Sequence, residues 1–161
     1  MEKAKPIIVL VDPDPKGYAS GVYGQVMVLE PEAAAPKPLS DSDPVFEGSR
    51  ITASENSFAQ VELLDGSILK IDEMTQVDVM KASVDPVALD RAVDLSMLYG
   101  TLRVAVPQGF SEKSVFKVST PAAVVGVRGT DFAVEYESEN EAAVDVFEGE
   151  VGVGSDGAVQ P

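Results

Sequence analysis

The chain has 161 residues, 45% hydrophobic and 24% charged, so it is long enough to bury a core and has the balance of a globular protein. Its formal net charge of −15 disfavours nucleic acid and anionic lipid surfaces as partners. The absence of histidine and cysteine excludes the commonest general base near neutral pH, thiol nucleophiles, disulfides and cysteine-ligated metals.

The N-terminal part of the chain contains short apolar runs that are typical of β-strands. A β-branched run at Ile7–Val11 predicts a first strand, followed by a proline-broken turn that reaches Gly17. Val22–Leu29 alternates with period two and predicts a second strand, and the proline-rich stretch 31–38 predicts a surface loop. The run Ile7–Val11 is too short to span a bilayer, so we expect no direct membrane insertion by this chain.

The clearest local signal is a hairpin turn at Asp65 and Gly66. A two-residue turn would place Leu69 on the wrong face of the sheet. A three-residue loop, with Gly66 in the left-handed conformation, instead places Val61 opposite Leu69. We therefore predict the three-residue loop.

The middle of the chain fits two structures. Gln76–Met80 predicts a short strand, but the segment 84–99 carries apolar residues at both helical and alternating spacing. We predict at most one turn of helix over Pro86–Arg91, followed by a strand whose alternation continues beyond Gly100.

The C-terminal part predicts strands throughout. Val115–Val118 forms a strand that Thr120 and Pro121 stop, and the alternation on both sides of Asn140 predicts a hairpin. Glu148–Val153 predicts a final strand, separate from Val144–Val146.

Three segments share the phrase Gly-x-apolar-x-Val, beginning at Gly24, Gly100 and Gly149. Their unequal separations do not fit a strict solenoid, which requires a fixed period. We expect one all-β domain of short strands stacked as a β-roll or an irregular β-solenoid, with little helix. We divide the chain into an N-terminal strand and turn (1–16), a β domain (17–154) and a frayed tail (155–161).

Arg128 lies between Gly126 and Gly129 in an otherwise apolar run. The segment differs from a phosphate-binding loop, because it lacks the Gly-x-x-x-x-Gly-Lys-Ser/Thr pattern and no helix follows it. A buried guanidinium has to meet carbonyls or a carboxylate, so we expect Arg128 to tie the C-terminal strands together. Binding of a partner's carboxylate is the alternative role.

An enzyme would have to use carboxylates such as Asp65, Asp131, Asp145 and Glu148. All four fall in predicted turns or on outward faces of predicted strands, rather than in a converging cluster. We therefore expect no catalytic residue, no cofactor and no bound metal. A carbohydrate-binding or metal-dependent hydrolase domain is the alternative from another functional class.

The spacing of eight residues resembles the C-terminal signature of the FecR domain: Thr120, Pro121, Gly126, Arg128, Gly129, Thr130, Phe132 and Gly149. The strand that begins at Gly24 and the hairpin at Asp65 and Gly66 agree with the N-terminal half of that domain. The resemblance covers roughly residues 17–154.

The resemblance implies an all-β domain that is usually exported to the periplasm or cell envelope. Founding members of the family regulate iron uptake, holding a sigma factor through a cytoplasmic segment and sensing a receptor's signalling domain outside. This chain shows neither a sigma-binding segment nor a membrane helix, and it lacks the usual tryptophan. We therefore expect a non-catalytic extracytoplasmic interaction or sensory module that binds a protein partner in the envelope. Polysaccharide is a further candidate partner, and the sensory half of a transmembrane anti-sigma regulator is the first alternative.

Overall fold

The alternation of apolar and polar residues produces β-strands throughout the part of the chain that the computed structural model describes, residues 14–136 and 142–154. Side chains at 128–130, 142, 147–151 and 154 lie outside that description. Within it there are twelve strands and no helix, so the predicted all-β class is confirmed. The strands are β1 (Gly17–Tyr23), β2 (Val26–Leu29), β3 (Lys37–Pro38), β4 (Pro44–Val45), β5 (Arg50–Ala53), β6 (Phe58–Leu63), β7 (Ile68–Ile71), β8 (Thr75–Asp85), β9 (Asp90–Ala105), β10 (Val115–Ser119), β11 (Val124–Tyr136) and β12 (Ala142–Gly154).

The strands form one curled sheet in which β9 joins two halves. Residues 90–99 of β9 pair with β8 on one side, and residues 92–96 pair with β10 on the other. Residues 100–105 pair instead with β7 and β11. The sheet order β3-β2-β5-β8-β9-β7-β6-β1-β4 therefore turns a corner within β9. Apart from the parallel β9–β10 pair, the described strand pairs are antiparallel, and the solenoid arrangement is not confirmed.

The core consists of inward-facing side chains from both halves of the sheet. Because successive residues of a strand point to opposite faces, every second residue contributes to it. Along β9, for example, Leu95, Met97, Leu102 and Val104 are all fully buried. Inward residues of β2, β5, β6, β8, β10 and β11 belong to the same apolar cluster, so the two halves share one core.

Glycine permits the sharp bend in β9. Gly100 has φ +105°, and a Cβ at this position would overlap the Thr75 backbone at its Cα. The Thr75 hydroxyl accepts a hydrogen bond from the Thr101 amide at 2.9 Å and donates to the Glu73 carbonyl at 3.1 Å. The backbone therefore passes against Thr75 at a distance that only glycine allows.

The same arrangement recurs between β1 and β2. Gly24 has φ +76°, and the Ser57 hydroxyl accepts a hydrogen bond from the Gln25 amide at 2.8 Å and donates to the Glu55 carbonyl at 3.1 Å. Ser57 and Thr75 are both buried polar residues. Each hydroxyl satisfies a backbone donor at a corner of the sheet, where the regular ladder is interrupted.

The turns that carry these two hydroxyls lie beside each other. The Asn56 amide donates to Glu73 Oε2 at 2.8 Å, and the Met74 amide donates to the Ser54 carbonyl at 3.4 Å. Asn56 and Met74 both have positive φ, 55° and 51°, so the two turns share their backbone conformation as well. The two corners are thereby coupled.

The structure corrects several predicted boundaries. Val22–Leu29 is not one strand, because the corner at Gly24 separates β1 from β2. Pro86–Arg91 contains no helix: residues 86–89 form a turn in which Asp85 Oδ1 accepts the Val87 and Ala88 amides, and β9 begins at Asp90. The segments at 144–146 and 148–153 are parts of one strand, β12. The run Ile7–Val11 and the turn at Asn140 lie outside the described residues.

The predicted register of the β6–β7 hairpin is confirmed, and the predicted C-terminal arms pair with each other. Val61 lies opposite Leu69, and Gly66 has φ +91°, as the three-residue loop requires. In the C-terminal hairpin, Phe132 lies opposite Val146. Within residues 14–136 and 142–154, no helix is long and apolar enough to cross a bilayer.

We expect Gly100→Ala to lower the free energy of unfolding by more than about 3 kcal/mol, because the new Cβ meets the Thr75 backbone in addition to the strained φ. Gly109→Ala is the matched control, since Gly109 has φ +96° but a methyl group there would meet no atom within 4 Å. The control should cost only about 1–2 kcal/mol from backbone strain. Urea denaturation measures both variants, and equal losses would show that contact with Thr75 does not govern the corner.

Candidate functional site

An ion pair lies in the interior beside the β6–β7 turn. Arg91 Nη1 is 3.1 Å from Asp65 Oδ2, and the two side chains are 4% and 0% exposed. The same Nη1 donates to the Pro107 carbonyl at 3.1 Å, and the guanidinium carbon lies 4.4 Å from the ring centroid of Phe110. Arg91 thus connects β9, the β6–β7 turn and the segment that follows β9.

Asp65 also accepts two hydrogen bonds from Ser67, whose amide donates to Oδ1 at 2.9 Å and whose hydroxyl donates to Oδ2 at 2.6 Å. Burial lowers the pKa of Arg91, and the Asp65 carboxylate opposes that shift. Arginine nevertheless remains charged, because its pKa is far above any physiological pH. Loss of either partner would therefore leave an uncompensated charge in the interior.

This arginine, rather than Arg128, is the buried guanidinium whose contacts the structure describes. Arg91 shares its alternation with Val93, Leu95 and Met97, so it occupies an inward position of β9. That parity was a signal in the sequence, and the assignment of Pro86–Arg91 to a possible helical turn concealed it. The side chain of Arg128 lies outside the described side chains, so its predicted role as a tie stays a prediction.

The residues of the predicted signature lie on β11, on β12 and in the turn between β10 and β11. Thr120 closes the turn between β10 and β11: its hydroxyl accepts the Ala122 and Ala123 amides at 3.2 and 3.0 Å. Pro121 is exposed in that turn, and Phe132 is fully buried in the core.

The glycines of the signature lie on the paired backbones of β11 and β12. Gly126 lies opposite Gly152, and Gly129 and Thr130 together oppose Gly149, because the register shifts between Arg128 and Asp131. This bulge accompanies the passage of β11 from β10 to β9. Asp65 and Gly66, in contrast, belong to the β6–β7 turn.

The carboxylates considered for catalysis do not form a described cluster. Asp65 is neutralised by Arg91, and Asp131 forms two hydrogen bonds with Arg103, at 3.2 and 3.0 Å. Asp145 is exposed on β12, and the side chain of Glu148 is outside the description. Among the described residues, no three potential acidic metal ligands come together.

A surface pocket of about 260 Å³ lies over Arg91. Its lining includes Phe110, Ser111 and Glu112 from the segment after β9, and Val127 from β11. Glu112 is the only carboxylate among the described lining residues, so these residues do not provide the pair of carboxyl groups that a glycoside hydrolase uses.

The most distinctive surface feature is the edge formed by β12. In the described part of the chain, β12 pairs only with β11, over a length of 13 residues. Val146 and Val153 are 46% and 45% exposed, although each lies opposite a fully buried residue, Phe132 and Val125. The apolar side chains of the core face therefore continue onto β12, where these two valines are about half exposed.

The opposite edges of the sheet are protected. β3 and β4 are two-residue strands that contain Pro38 and Pro44 respectively. Short strands and prolines discourage pairing with another chain, because they offer few free backbone groups. Over the described strands, the sheet thus combines a long edge without proline at β12 with short, proline-containing edges at β3 and β4.

Together the described residues define an all-β domain with a buried ion pair and one long strand, β12, that pairs on one side only. The profile described as "FecR protein" matches residues 49–152, and the chain belongs to the FecR family. Among curated proteins, the comparison found no match.

Solved structures give a concordant result. Two crystal structures, each described as a "putative anti-sigma factor" from Parabacteroides distasonis, are similar to this chain at 26% and 27% identity, with TM-scores of 0.56 and 0.52. Each alignment covers 69% of this chain and 49% of the other. The aligned part therefore spans about half the length of these relatives.

We expect Arg91→Met to lower the free energy of unfolding by about 3–5 kcal/mol, because it leaves Asp65 charged and unpaired in the interior. Arg50→Met is the control, since Arg50 pairs with Asp78 at 2.8 Å on the surface, and it should cost at most about 1 kcal/mol. Arg91→Met combined with Asp65→Asn should be less destabilised than Arg91→Met alone. Urea denaturation measures the free energy of unfolding of each variant. A double variant that is less stable than Arg91→Met alone would contradict the pairing of Arg91 with Asp65.

Proposed function

We propose that this chain is a non-catalytic extracytoplasmic interaction or sensory module of FecR type that binds a protein partner in the cell envelope along β12. The half-exposed apolar residues on the open β12 edge carry the proposal. Membership of the FecR family supports the regulatory class, and the family's usual location supports the extracytoplasmic one.

The proposed mode of binding is strand addition. An extended segment of the partner pairs with the backbone groups of β12 that have no partner among the described strands, and its apolar side chains cover Val146 and Val153. Backbone pairing would supply affinity, and the contacts of alternate side chains would supply specificity. Because the chain carries a net charge of −15, a partner with basic residues beside the added strand would associate faster.

A second candidate is narrower: the sensory half of a transmembrane anti-sigma regulator. The descriptions of the two Parabacteroides distasonis proteins favour it, as does the fact that this chain matches only half of each. The native reading frame provides the test. A membrane-spanning segment encoded upstream of Met1 would support this candidate, and a signal peptide followed directly by the present sequence would exclude it.

We expect Val146→Lys to abolish capture of the partner, because a lysine on the edge opposes addition of a strand and removes an apolar contact. Leu98→Lys is the matched control: Leu98 is 38% exposed, but it lies within β9, between the residues that pair with β10 and those that pair with β11, and not on β12. The assay is affinity capture from an envelope extract of the native organism, with the proteins retained by each variant compared by mass spectrometry.

Both variants should keep the melting temperature of the wild type within a few degrees, since a lysine stem covers apolar surface while its charge stays in water. A partner that is lost with Leu98→Lys and retained with Val146→Lys would place the contact away from β12. Equal capture by all three proteins would overturn the strand-addition proposal.

A further inference from the structure

The outer face of β1, β6, β7 and β9 carries a second surface that the protein-binding edge does not use. Tyr23 on β1 and Phe58 on β6 lie directly opposite each other, with ring centroids 5.6 Å apart and planes inclined by 22°. Their side chains are exposed, at 63% and 49%. Two stacked aromatic rings thus form an uncovered apolar platform.

A pocket of about 370 Å³ begins at Phe58 and continues across β7 to β9. Its volume lies within the usual range for small-molecule sites, roughly 300–1,000 Å³. The polar groups that line it come from β6, β7, β9 and the residue directly after β7: Gln60, Lys70, Asp72, Thr101 and Arg103. Amide, hydroxyl and carboxylate groups can donate to or accept from the hydroxyls of a ligand.

One cation in the pocket, Lys70, is placed to receive an anion, and Asp72 can accept hydrogen bonds from ligand hydroxyls. Lys70 lies directly opposite Arg103 in the β7–β9 ladder, although like charges at opposed positions destabilise a sheet. Arg103 is paired with Asp131, whereas Lys70 has no ion-pair or hydrogen-bond partner among the described residues. A ligand carboxylate beside Lys70 would therefore reduce the repulsion between Lys70 and Arg103, and each of the two cations would then have an anionic partner.

We propose that this face binds a carboxylate-bearing glycan. The apolar faces of its sugar rings lie on Tyr23 and Phe58, its carboxylate pairs with Lys70, and its hydroxyls bond to Gln60 and Thr101. The platform and the pocket together cross four strands, a width of about 14 Å at the usual spacing between strands, so the ligand is an oligosaccharide segment rather than a single sugar.

The apolar platform distinguishes this ligand from a purely acidic partner. A polyglutamate segment would satisfy Lys70 but would leave the two aromatic rings uncovered. A neutral glycan would cover the rings but would leave Lys70 without a counterion. A glycan with carboxylates satisfies both parts of the surface, which are contiguous because Phe58 belongs to each.

The test uses the purified chain and titrates three probes by isothermal calorimetry: oligogalacturonate, the same oligomer with its carboxylates methyl-esterified, and polyglutamate of similar length. We expect oligogalacturonate to bind at least about tenfold more tightly than either control, which corresponds to about 1.4 kcal/mol. Equal binding of the esterified oligomer or of polyglutamate, or no heat with any probe, would overturn the proposal.

Variants then locate the site. Phe58→Ala and Tyr23→Ala should each weaken binding of oligogalacturonate, and Lys70→Gln should reduce it to the level of the esterified oligomer. Tyr18→Ala and Lys81→Gln are the controls, since Tyr18 is 45% exposed and Lys81 is exposed, and neither lines the pocket. Undiminished binding by both Phe58→Ala and Lys70→Gln, in proteins with unchanged melting temperatures, would place the ligand elsewhere.

Val146→Lys should bind the glycan like the wild type, because β12 contributes no described residue to this pocket. Failure of glycan binding would therefore leave the proposal for the β12 edge intact. Loss of partner capture by Val146→Lys would in turn say nothing against the glycan site.

Discussion

The architecture depends on how two buried hydroxyls hold the corners of the sheet. At each corner a glycine with positive φ lets the backbone approach a serine or threonine. The hydroxyl of that side chain accepts a hydrogen bond from the amide of the residue after the glycine. Without that acceptor, a buried amide would remain unpaired where the regular ladder is interrupted. Because the turn that carries Ser57 also bonds to the turn that carries Thr75, the two corners fix each other. The curl of the sheet, and hence the shared core of its two halves, follows from these contacts.

With its core enclosed in this way, the described sheet presents its edges and outer faces to solvent. The short edges carry prolines, and the interior carboxylate Asp65 is already neutralised by Arg91. Along the long edge of β12 and on the outer face around Phe58, apolar side chains remain uncovered. The two surfaces differ in chemistry, since one offers backbone groups to a strand and the other offers aromatic rings beside the ammonium group of Lys70. Under the two proposals, one domain would engage two different classes of ligand through separate surfaces.

The comparison between Arg91 and Arg128 shows how sequence context can mislead. Arg128 stands out because glycines and valines surround it, whereas Arg91 follows an aspartate in a segment that also fits a helix. Burial of Arg91 requires a carboxylate that is distant in the chain, and the sequence does not show that Asp65 is brought beside it. The pairing arises only because the β6–β7 turn and the start of β9 meet in the folded sheet.

The sequence by itself determined the β class, the register of the β6–β7 hairpin and the pairing of the C-terminal arms, because period-two alternation and turn chemistry act over a few residues. The family signature could also be recognised from the sequence, because most of its residues lie close together along the chain. Only the tertiary structure decided that Gly24 and Gly100 are corners, that Arg91 pairs with Asp65, and that β12 is an edge strand among the described residues. Each of these features depends on contacts between residues far apart in the chain, and local propensity carries no information about which distant strands become neighbours.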